Sequence, residues 1–450
     1  MDFIDGLRLV AGPVVWTAWA AAAAGLAYLL WHAAFRRNGR RRPPGPAVVV
    51  VAAVALLAAA LVAAVHWFLV YGISVFADEL PGETLAWSVP AVGALLLWVK
   101  FLFGLRGGRR NRTALVGPAA IATAAFLAVL ALSAVQINIY FGLNHTVGDL
   151  TGTAVARIKP LDAGQTRAAR GQAATELARW HGPAALPDGV IRKAVIPGTV
   201  SGFQSRAAYV YLPPAYRSSP RPALPVLVLF SGQPGGPADW LVGGALRSRL
   251  DRFAAEHAGV APVTVVVDPN GSSSANSLCM DSRIARADTF LARDVPAWIN
   301  RTLDVDPDPR HWAVGGFSFG ATCAMQMVTR HPDVYGAALA FSSEREPSLA
   351  KERRKTIQAS FGGDAAAFDR LTPLSLMAEN RFDGHGVYFA AGDLDPKFTG
   401  YMDVLSNAAR QAGFTVETHR IANAGHSWDT AANGLSGGLD FLARRWAIPA

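Results

Sequence analysis

Residues 311–327 read His-Trp-Ala-Val-Gly-Gly-Phe-Ser-Phe-Gly-Ala-Thr-Cys-Ala-Met-Gln-Met. The stretch predicts a buried strand, a corner with glycines on both sides that holds Ser318, and then a helix. On such a sharp strand-to-helix turn the serine hydroxyl stands clear of the backbone, because Gly316 and Gly320 have no Cβ atoms to collide there. We therefore interpret the stretch as a nucleophile elbow with Ser318 as the candidate nucleophile.

The same Gly-x-Ser-x-Gly spacing occurs a second time, at residues 434–438, which read Gly-Leu-Ser-Gly-Gly. Polar sequence precedes this copy, no apolar strand leads into it, and only a short tail follows it. A spacing this simple arises easily by chance in a glycine-rich chain, so context has to decide. Context favours Ser318 over Ser436.

Long apolar runs occupy the first third of the 450-residue chain. Each reaches or exceeds the ~20 residues that a helix needs to cross a bilayer. The runs are residues 9–35, 47–73, 84–105 and 115–137. We predict a four-helix transmembrane domain over residues 1–137, followed by a linker or stalk over residues 138–186, in which residues 154–181 look helical.

Arginines cluster after the first and third apolar runs, whereas the connection between the second and third is acidic. Since positive loops stay in the cytoplasm, we expect the amino terminus and everything after about residue 137 to lie outside. The arginines are Arg36, Arg37, Arg40, Arg41 and Arg42, then Arg106, Arg109, Arg110 and Arg112. The number of these arginines, nine, equals the formal net charge of +9, so the loops alone can account for the basic character of the chain. We therefore expect the lipid bilayer as a partner and no nucleic acid.

The chain contains two cysteines, Cys279 and Cys323, both in the part expected outside the cytoplasm. An even pair in an oxidising compartment predicts a disulfide bond, and two buried free thiols remain the alternative. Two cysteines cannot form a zinc cluster, and the sequence has no His-Glu-x-x-His segment or phosphate loop. We expect neither a metal nor a cofactor.

From residue 187 to residue 450, predicted strands and helices alternate, which favours a mostly parallel sheet with helices on both faces. The predicted strands are residues 190–196, 207–212, 224–230, 263–267, 311–315, 336–341, 387–390 and 415–421. The predicted helices are residues 240–257, 288–303, 321–329, 399–412 and 435–446. Residues 342–386 are long, charged and poorly periodic, and we place them hypothetically as a cap over the carboxyl ends of the strands.

A serine nucleophile needs a base, and the base needs a carboxylate that orients it. His426 follows a glycine on the loop after the last predicted strand, and it is the candidate base. The candidate acid is Asp395, after the strand at 387–390, with Asp393 as the alternative and Asp403 as a weaker third. The resulting chain order is serine, acid, histidine.

The negative oxygen of the reaction intermediate needs backbone N–H donors. One is expected from Phe319, the residue after the nucleophile, and another from the glycine-rich turn at residues 231–236. Within that turn either Gly232 or Gln233 is a candidate, and Gln233 is favoured. A glycine-rich loop without this role is the alternative.

Three segments together resemble the esterase D and antigen 85 branch of the α/β-hydrolases. They are Gly-Gly-Phe-Ser-Phe-Gly-Ala at 315–321, His-Pro-Asp-Val-Tyr at 331–335 and Gly-His-Ser-Trp at 425–428. The resemblance covers roughly residues 190–446 and implies an α/β-hydrolase domain that acts on carboxylic esters. It also implies the serine role for Ser318 and the histidine role for His426.

The two groups of that branch differ in their chemistry. Esterase D proteins hydrolyse esters, and antigen 85 proteins transfer mycolic acyl groups to trehalose. Where antigen 85 proteins use a glutamate, this chain reads Lys-Phe-Thr-Gly at residues 397–400, so Asp395 makes it more similar to the esterases.

The sequence therefore predicts a multi-pass cell-membrane protein with an extracytoplasmic serine carboxylesterase domain. The expected substrates are lipid or cell-envelope acyl esters at the outer membrane face, cleaved through an acyl-enzyme intermediate. An acyltransferase acting on an envelope sugar, similar to a mycolyltransferase, is one alternative. A non-catalytic membrane sensor or assembly protein is the other.

Overall fold

The computed structural model describes residues 2–37, 40–41, 45–106, 113–167, 177, 180, 188–218 and 221–448. The chain divides into two compact units, Met1–Thr151 and Gly152–Ala450. The boundary between them in the sequence falls within the predicted linker over residues 138–186. Of the loop arginines, Arg42, Arg109, Arg110 and Arg112 lie outside the described residues.

Long apolar helices dominate the first unit. Its elements are α1 (Asp2–Asp5), α2 (Pro13–Phe35), β1 (Arg36–Arg37), β2 (Arg40–Arg41), α3 (Gly45–Trp67), a π-helical turn (Phe68–Gly72), α4 (Gly82–Arg106), α5 (Thr113–Phe141) and α6 (Val147–Leu150). Among the described residues, four helical stretches are long and apolar enough to cross a membrane: Pro13–Ala34, Val48–Gly72, Gly82–Leu105 and Val116–Phe141. They overlap the four predicted runs.

The burial pattern within this unit fits a lipid environment. Small and aliphatic side chains such as Ala22, Leu97 and Ala122 form a core between the helices. Large apolar side chains also point outward, among them Leu56 at 72% exposure and Val116 at 68%. In water such an outward apolar surface would be costly, whereas hydrocarbon solvates it.

An eight-stranded sheet forms the centre of the second unit, with strand order β10-β9-β8-β7-β5-β6-β4-β3. Its strands are β3 (Val190–Ala194), β4 (Ala208–Leu212), β5 (Val226–Phe230), β6 (Val263–Val267), β7 (Trp312–Phe317), β8 (Ala337–Phe341), β9 (Gly386–Gly392) and β10 (Thr415–Ile421). The pairs β3–β4 and β4–β6 are antiparallel, and the remaining pairs are parallel. Each predicted strand is present, and the predicted mostly parallel sheet is confirmed.

The second unit also contains α-helices. They are α7 (Thr153–Ala156), α8 (Ala238–Val242), α9 (Leu246–Glu256), α10 (Ala287–Thr289), α11 (Val295–Thr302), α12 (Phe319–Arg330), α13 (Arg353–Phe361), α14 (Ala365–Asp369), α15 (Pro373–Glu379), α16 (Pro396–Gln411) and α17 (Trp428–Trp446). Strands β5, β6, β7 and β8 are buried along their whole length, as expected for apolar strands covered on both faces.

Two helix predictions are wrong in detail. The helix predicted over residues 154–181 ends at Ala156, because Pro160 cannot continue a helix and the backbone at 159–161 pairs with Lys193 of β3 instead. Residues 168–176, 178–179 and 181 of that prediction lie outside the described residues. The helix predicted over 240–257 is split into α8 and α9 at Gly243 and Gly244.

Residues 342–386, which we placed hypothetically as a cap, contain α13, α14 and α15. Ile357 and Phe368 pack on Leu278 and Met280 from the loop after β6. The Asn276 side chain of the same loop donates a 3.0 Å hydrogen bond to the carbonyl of Ser348. The insertion is therefore anchored on a loop at the carboxyl ends of the strands, and its capping role stays a prediction.

Candidate active site

The elbow at Ser318 joins β7 directly to α12. Ser318 has φ 56° and ψ −119°, a conformation that L-residues rarely adopt. The sheet holds it there, because the Ser318 N–H donates to the carbonyl of Phe341 in the neighbouring strand β8 at 2.8 Å. A non-glycine residue in such a conformation persists only where the surrounding structure fixes it, which occurs most often at functional sites.

The two glycines of the elbow are required by close backbone approach. A Cβ atom on Gly316 would lie 2.3 Å from the carbonyl carbon of Gly320, and one on Gly320 would lie 2.3 Å from the carbonyl oxygen of Phe230. Neither neighbour is a flexible side chain that could move away. The Gly-x-Ser-x-Gly spacing is thus a packing requirement of the turn between β7 and α12.

His426 lies on the loop between β10 and α17 and faces the serine. Its Nε2 is 2.8 Å from Ser318 Oγ, and its Nδ1 is 3.1 Å from Asp395 Oδ2. A carboxylate can only accept hydrogen bonds, so Nδ1 carries the proton and Nε2 is left to accept from the serine hydroxyl. The three predicted residues form one continuous hydrogen-bonded chain.

Asp395 occupies the turn after β9 and is the residue that precedes α16. Only 9% of it is exposed, and its Oδ1 accepts a 3.3 Å hydrogen bond from the N–H of Phe398. The Phe398 ring lies 4.1 Å from the His426 ring, and the Phe317 ring lies 4.9 Å from it. Helix α16 therefore fixes the carboxylate, and two aromatic rings fix the imidazole.

The other two candidate acids have different partners. Asp393 is exposed, and its Oδ1 accepts from the N–H of Ala424 at 3.3 Å. Asp403 Oδ2 accepts from Arg420 Nη2 at 3.1 Å. The structure brings Asp395, and neither alternative, to His426.

The candidate oxyanion donors Phe319 and Gly232 lie next to Ser318. Phe319 is the first residue of α12, so its N–H has no carbonyl to bond within the helix. A Cβ atom on Gly232 would lie 3.8 Å from Ser318 Cβ, which places the turn at residues 231–236 against the serine. The side chain of Gln233 donates to the carbonyl of Ser274 at 3.0 Å. The choice between the Gly232 and Gln233 N–H groups stays a prediction.

The second Gly-x-Ser-x-Gly copy has a different structural role. Ser436 lies inside α17, and its Oγ accepts a 2.8 Å hydrogen bond from Arg249 Nη1. A serine within a helix has neither the raised position of an elbow nor, here, a histidine partner. The structure thus brings His426 to Ser318, and the role of Ser318 as nucleophile stays a prediction.

The two cysteines are joined. Cys279 and Cys323 form a disulfide bond with a Cα–Cα distance of 5.5 Å, and both are fully buried. The bond ties the loop after β6 to α12, the helix that begins directly after Ser318. The predicted disulfide is confirmed, and the alternative of two free thiols is wrong.

Sequence reasoning missed Arg206, which forms a 2.7 Å ion pair with Asp268 beside the turn at 231–236. Nothing in the local pattern connects two residues that are far apart in the chain.

Within the described part of the chain, no group of three or more His, Cys, Asp or Glu side chains is arranged to hold a metal ion.

Comparison with known proteins gives a family match within the second unit. The Esterase family model matches residues 203–437. An uncharacterized protein of Corynebacterium glutamicum is 38% identical over 256 residues, which are 56% of this chain and 60% of that protein. The match thus spans less than two thirds of the curated relative.

Two solved structures match this chain, and the first of them supports the fold. A ferulic acid esterase is 20% identical, covers 58% of this chain and 99% of its own, and has a TM-score of 0.50. An S-formylglutathione hydrolase from Agrobacterium tumefaciens is 17% identical, covers 59% of this chain and 100% of its own, and has a TM-score of 0.46.

Proposed function

Because the chain belongs to the Esterase family and is an esterase-type serine hydrolase with an α/β-hydrolase fold, we propose that it cleaves acyl esters of lipids or cell-envelope components through a covalent intermediate on Ser318. One observation carries the proposal. The hydrogen-bonded chain runs from Ser318 Oγ to His426 Nε2 at 2.8 Å, and from His426 Nδ1 to Asp395 Oδ2 at 3.1 Å.

The first half-reaction forms the acyl intermediate. Ser318 Oγ attacks the ester carbonyl carbon while His426 Nε2 takes the serine proton. The tetrahedral intermediate collapses, the bond between the carbonyl carbon and the alcohol oxygen breaks, and the imidazolium returns the proton to the leaving alcohol. Asp395 keeps the imidazole in the tautomer that can accept at Nε2 and stabilises its charged form.

The second half-reaction releases the acid. A water molecule gives a proton to His426 Nε2 and attacks the acyl carbonyl carbon. The second tetrahedral intermediate then expels Ser318 Oγ, which recovers the proton from the imidazolium. An alcohol in place of water would yield a new ester by the same steps.

Both tetrahedral intermediates carry a negative oxygen. We assign its stabilisation to the N–H of Phe319 and to an N–H of the turn at 231–236, from Gln233 or Gly232. The Phe319 N–H is unused by its own helix, and the Gly232 backbone lies next to the serine. Removing one such donor in other serine hydrolases lowers kcat by roughly 10²–10³-fold.

The substrate class rests on the first unit. Its four membrane-length helices hold the enzyme at a bilayer, where lipid and envelope esters are concentrated. The arginine loops and the disulfide support an extracytoplasmic position for the catalytic unit, since cytoplasmic loops are rich in arginine and disulfides persist in oxidising compartments.

The reaction is tested with the full chain in detergent micelles and a radiolabelled acyl ester, with and without trehalose or arabinan. A hydrolase releases labelled free acid at the same rate whether or not the sugar is present. An acyltransferase instead produces labelled acyl sugar at the expense of free acid. The Ser318→Ala variant is the blank, and a folded wild type that forms neither product contradicts the proposal.

A further inference from the structure

Asp268 is a fully buried carboxylate at the carboxyl end of β6, and its oxygens are saturated with donors. Arg206 supplies three hydrogen bonds to it: from its backbone N–H at 3.0 Å, from Nε at 2.7 Å and from Nη2 at 2.9 Å. The backbone N–H groups of Asn270 and Gly271 each donate at 3.0 Å. Such a two-pronged pairing fixes the plane of the guanidinium.

The fixed guanidinium then contacts the glycine-rich turn at residues 231–236. Arg206 Nη2 donates to the carbonyl of Gly235 at 2.8 Å. The N–H of Gly236, on the same peptide group, donates to Asp239 Oδ2 at 2.7 Å. Burial raises the pKa of Asp239, and the Gly236 N–H and the positive charge of Arg206 act in the opposite direction. This one peptide group is held at its oxygen by a cation and at its N–H by a carboxyl group.

Further hydrogen bonds close the turn. Ser231 Oγ donates to the carbonyl of Gly236 at 2.6 Å, and the Gly235 N–H donates to the carbonyl of Ser273 at 3.0 Å. Glycine residues are conformationally free unless their surroundings restrain them. The position of Gly232 and Gln233 relative to Ser318 therefore depends on a set of restraining contacts, and the bond from Arg206 to the Gly235 carbonyl is the one that a cation supplies.

We propose that Arg206, oriented by Asp268, is a positioning residue that holds the 231–236 turn. In this position the N–H of Gly232 or Gln233 faces the negative oxygen of the tetrahedral intermediate that forms at Ser318. The inference rests on the proposed function, because it concerns the donor of the same site. Oxyanion donors accelerate a reaction only when they are held in place before charge develops. Arg206 touches neither substrate nor Ser318 in this role and acts through the turn alone.

A second ion pair in the same unit provides a matched control. Arg221 Nη1 lies 2.8 Å from Asp304 Oδ2, and its guanidinium also donates to the carbonyls of Gly164 and Thr166. Its side chain is 21% exposed, comparable with 33% for Arg206. Like Arg206 it joins one carboxylate to backbone carbonyls, but it does not contact the turn.

The experiment compares Arg206→Ala, Arg206→Lys and Arg221→Ala in the full chain in detergent. It measures kcat and KM on a water-soluble p-nitrophenyl ester and inhibition by an alkylboronic acid, which forms a tetrahedral adduct with a catalytic serine. We expect Arg206→Ala to lower kcat by about 10–100-fold, since displacing a catalytic group by ~1 Å costs up to ~10²-fold. KM should change by less than about threefold, and boronate affinity should fall in parallel with kcat.

Arg206→Lys should show the same effect in weaker form, because one ammonium cannot serve both Asp268 oxygens and the Gly235 carbonyl together. Arg221→Ala should leave kcat and boronate affinity within about threefold of the wild type, as expected for a partly exposed pair. Equal kcat in Arg206→Ala and Arg221→Ala at matched melting temperature contradicts the inference. If Arg206→Ala does not fold, unchanged kcat and boronate affinity in Arg206→Lys contradict it.

Failure of the proposed function has a different signature. A wild type that neither hydrolyses the ester nor reacts with a fluorophosphonate contradicts the role of Ser318 itself. A wild type that is active and labelled, with an Arg206→Ala variant of equal activity, contradicts only the positioning role.

Discussion

Ser318, Asp395 and His426 follow the strands β7, β9 and β10 respectively. Parallel strands end at the same edge of a sheet, and the order β10-β9-β8-β7 brings these three residues together. Ser318 and His426 could be selected from sequence because each follows a predicted strand in an expected order. The sequence left Asp393 and Asp395 as alternatives because both lie within the same turn.

Replacing the two aspartates separately tests the acid assignment. Asp395→Asn should lower kcat by about 10⁴-fold, because an amide at this position allows the wrong imidazole tautomer. Asp393→Asn should retain activity within severalfold, since its carboxylate bonds Ala424 and not His426. The measurement is ester hydrolysis by each variant with its melting temperature as the folding control. The reverse ranking would assign the acid role to Asp393.

The ion pair of Arg206 and Asp268 shows what sequence could not provide at this scale. Asp268 stands in an Asp-Pro-Asn-Gly segment that equally suits an ordinary turn. Its arginine partner precedes β4, and the two meet because β4 pairs with β6 across the sheet. A contact set by strand order rather than by local spacing is visible only in the folded structure.

At the scale of elements, strands were easier to predict than helices. Apolar runs such as Val263–Val267 have few other structures available to them in a covered sheet. The helix predicted over 154–181 was wrong because local helical propensity competed with Pro160 and with pairing of the backbone to Lys193. The split between α8 and α9 follows from adjacent glycines, which weaken a helix interior.

Glycine substitutions test the account of the elbow. Gly320→Ala should destabilise the second unit by about 3 kcal/mol or more, because the added methyl group meets the backbone of Phe230 at 2.3 Å. Gly400→Ala is the control, since Gly400 is exposed within α16 and its Cβ would meet nothing within 4 Å. That change should stabilise by about 0.5–1 kcal/mol, the helix-propensity difference.

Urea unfolding of the detergent-solubilised protein, followed by tryptophan fluorescence, measures both variants. Equal stability of Gly320→Ala and the wild type would contradict the requirement for a glycine at the elbow. If Gly400→Ala also lowered the free energy of unfolding, the loss in Gly320→Ala could not be attributed to the steric clash at the elbow.

At the scale of the whole molecule, the disulfide bond is expected to contribute to the free energy of unfolding. Cys279 and Cys323 are 44 residues apart in sequence, and closing a loop of that length restricts the unfolded chain by about 4 kcal/mol. The Cys279→Ala/Cys323→Ala double variant should therefore unfold at a lower urea concentration than the wild type. Both should behave alike in the presence of a strong reductant, and equal midpoints without reductant would contradict the contribution.

Topology provides an independent prediction for the whole chain. Alkaline phosphatase fused after Ala450 should be active, because the positions of the arginine loops predict that the carboxyl-terminal unit lies outside the cytoplasm. A fusion after Arg106, at the end of α4, should be inactive. Activity only in the second fusion would reverse the proposed orientation.

The number of membrane-length helices could be predicted from hydropathy alone, since uninterrupted apolar length is a property of the sequence itself.

The most direct test of the central claim is labelling by a fluorophosphonate, which forms a covalent bond with an activated serine. The wild type should be labelled, Ser318→Ala should not, and Ser436→Ala should be labelled like the wild type. Ser436 is the matched control because it has the same Gly-x-Ser-x-Gly spacing but lies within α17. Labelling that persists in Ser318→Ala, or a folded wild type that is not labelled, would contradict the account.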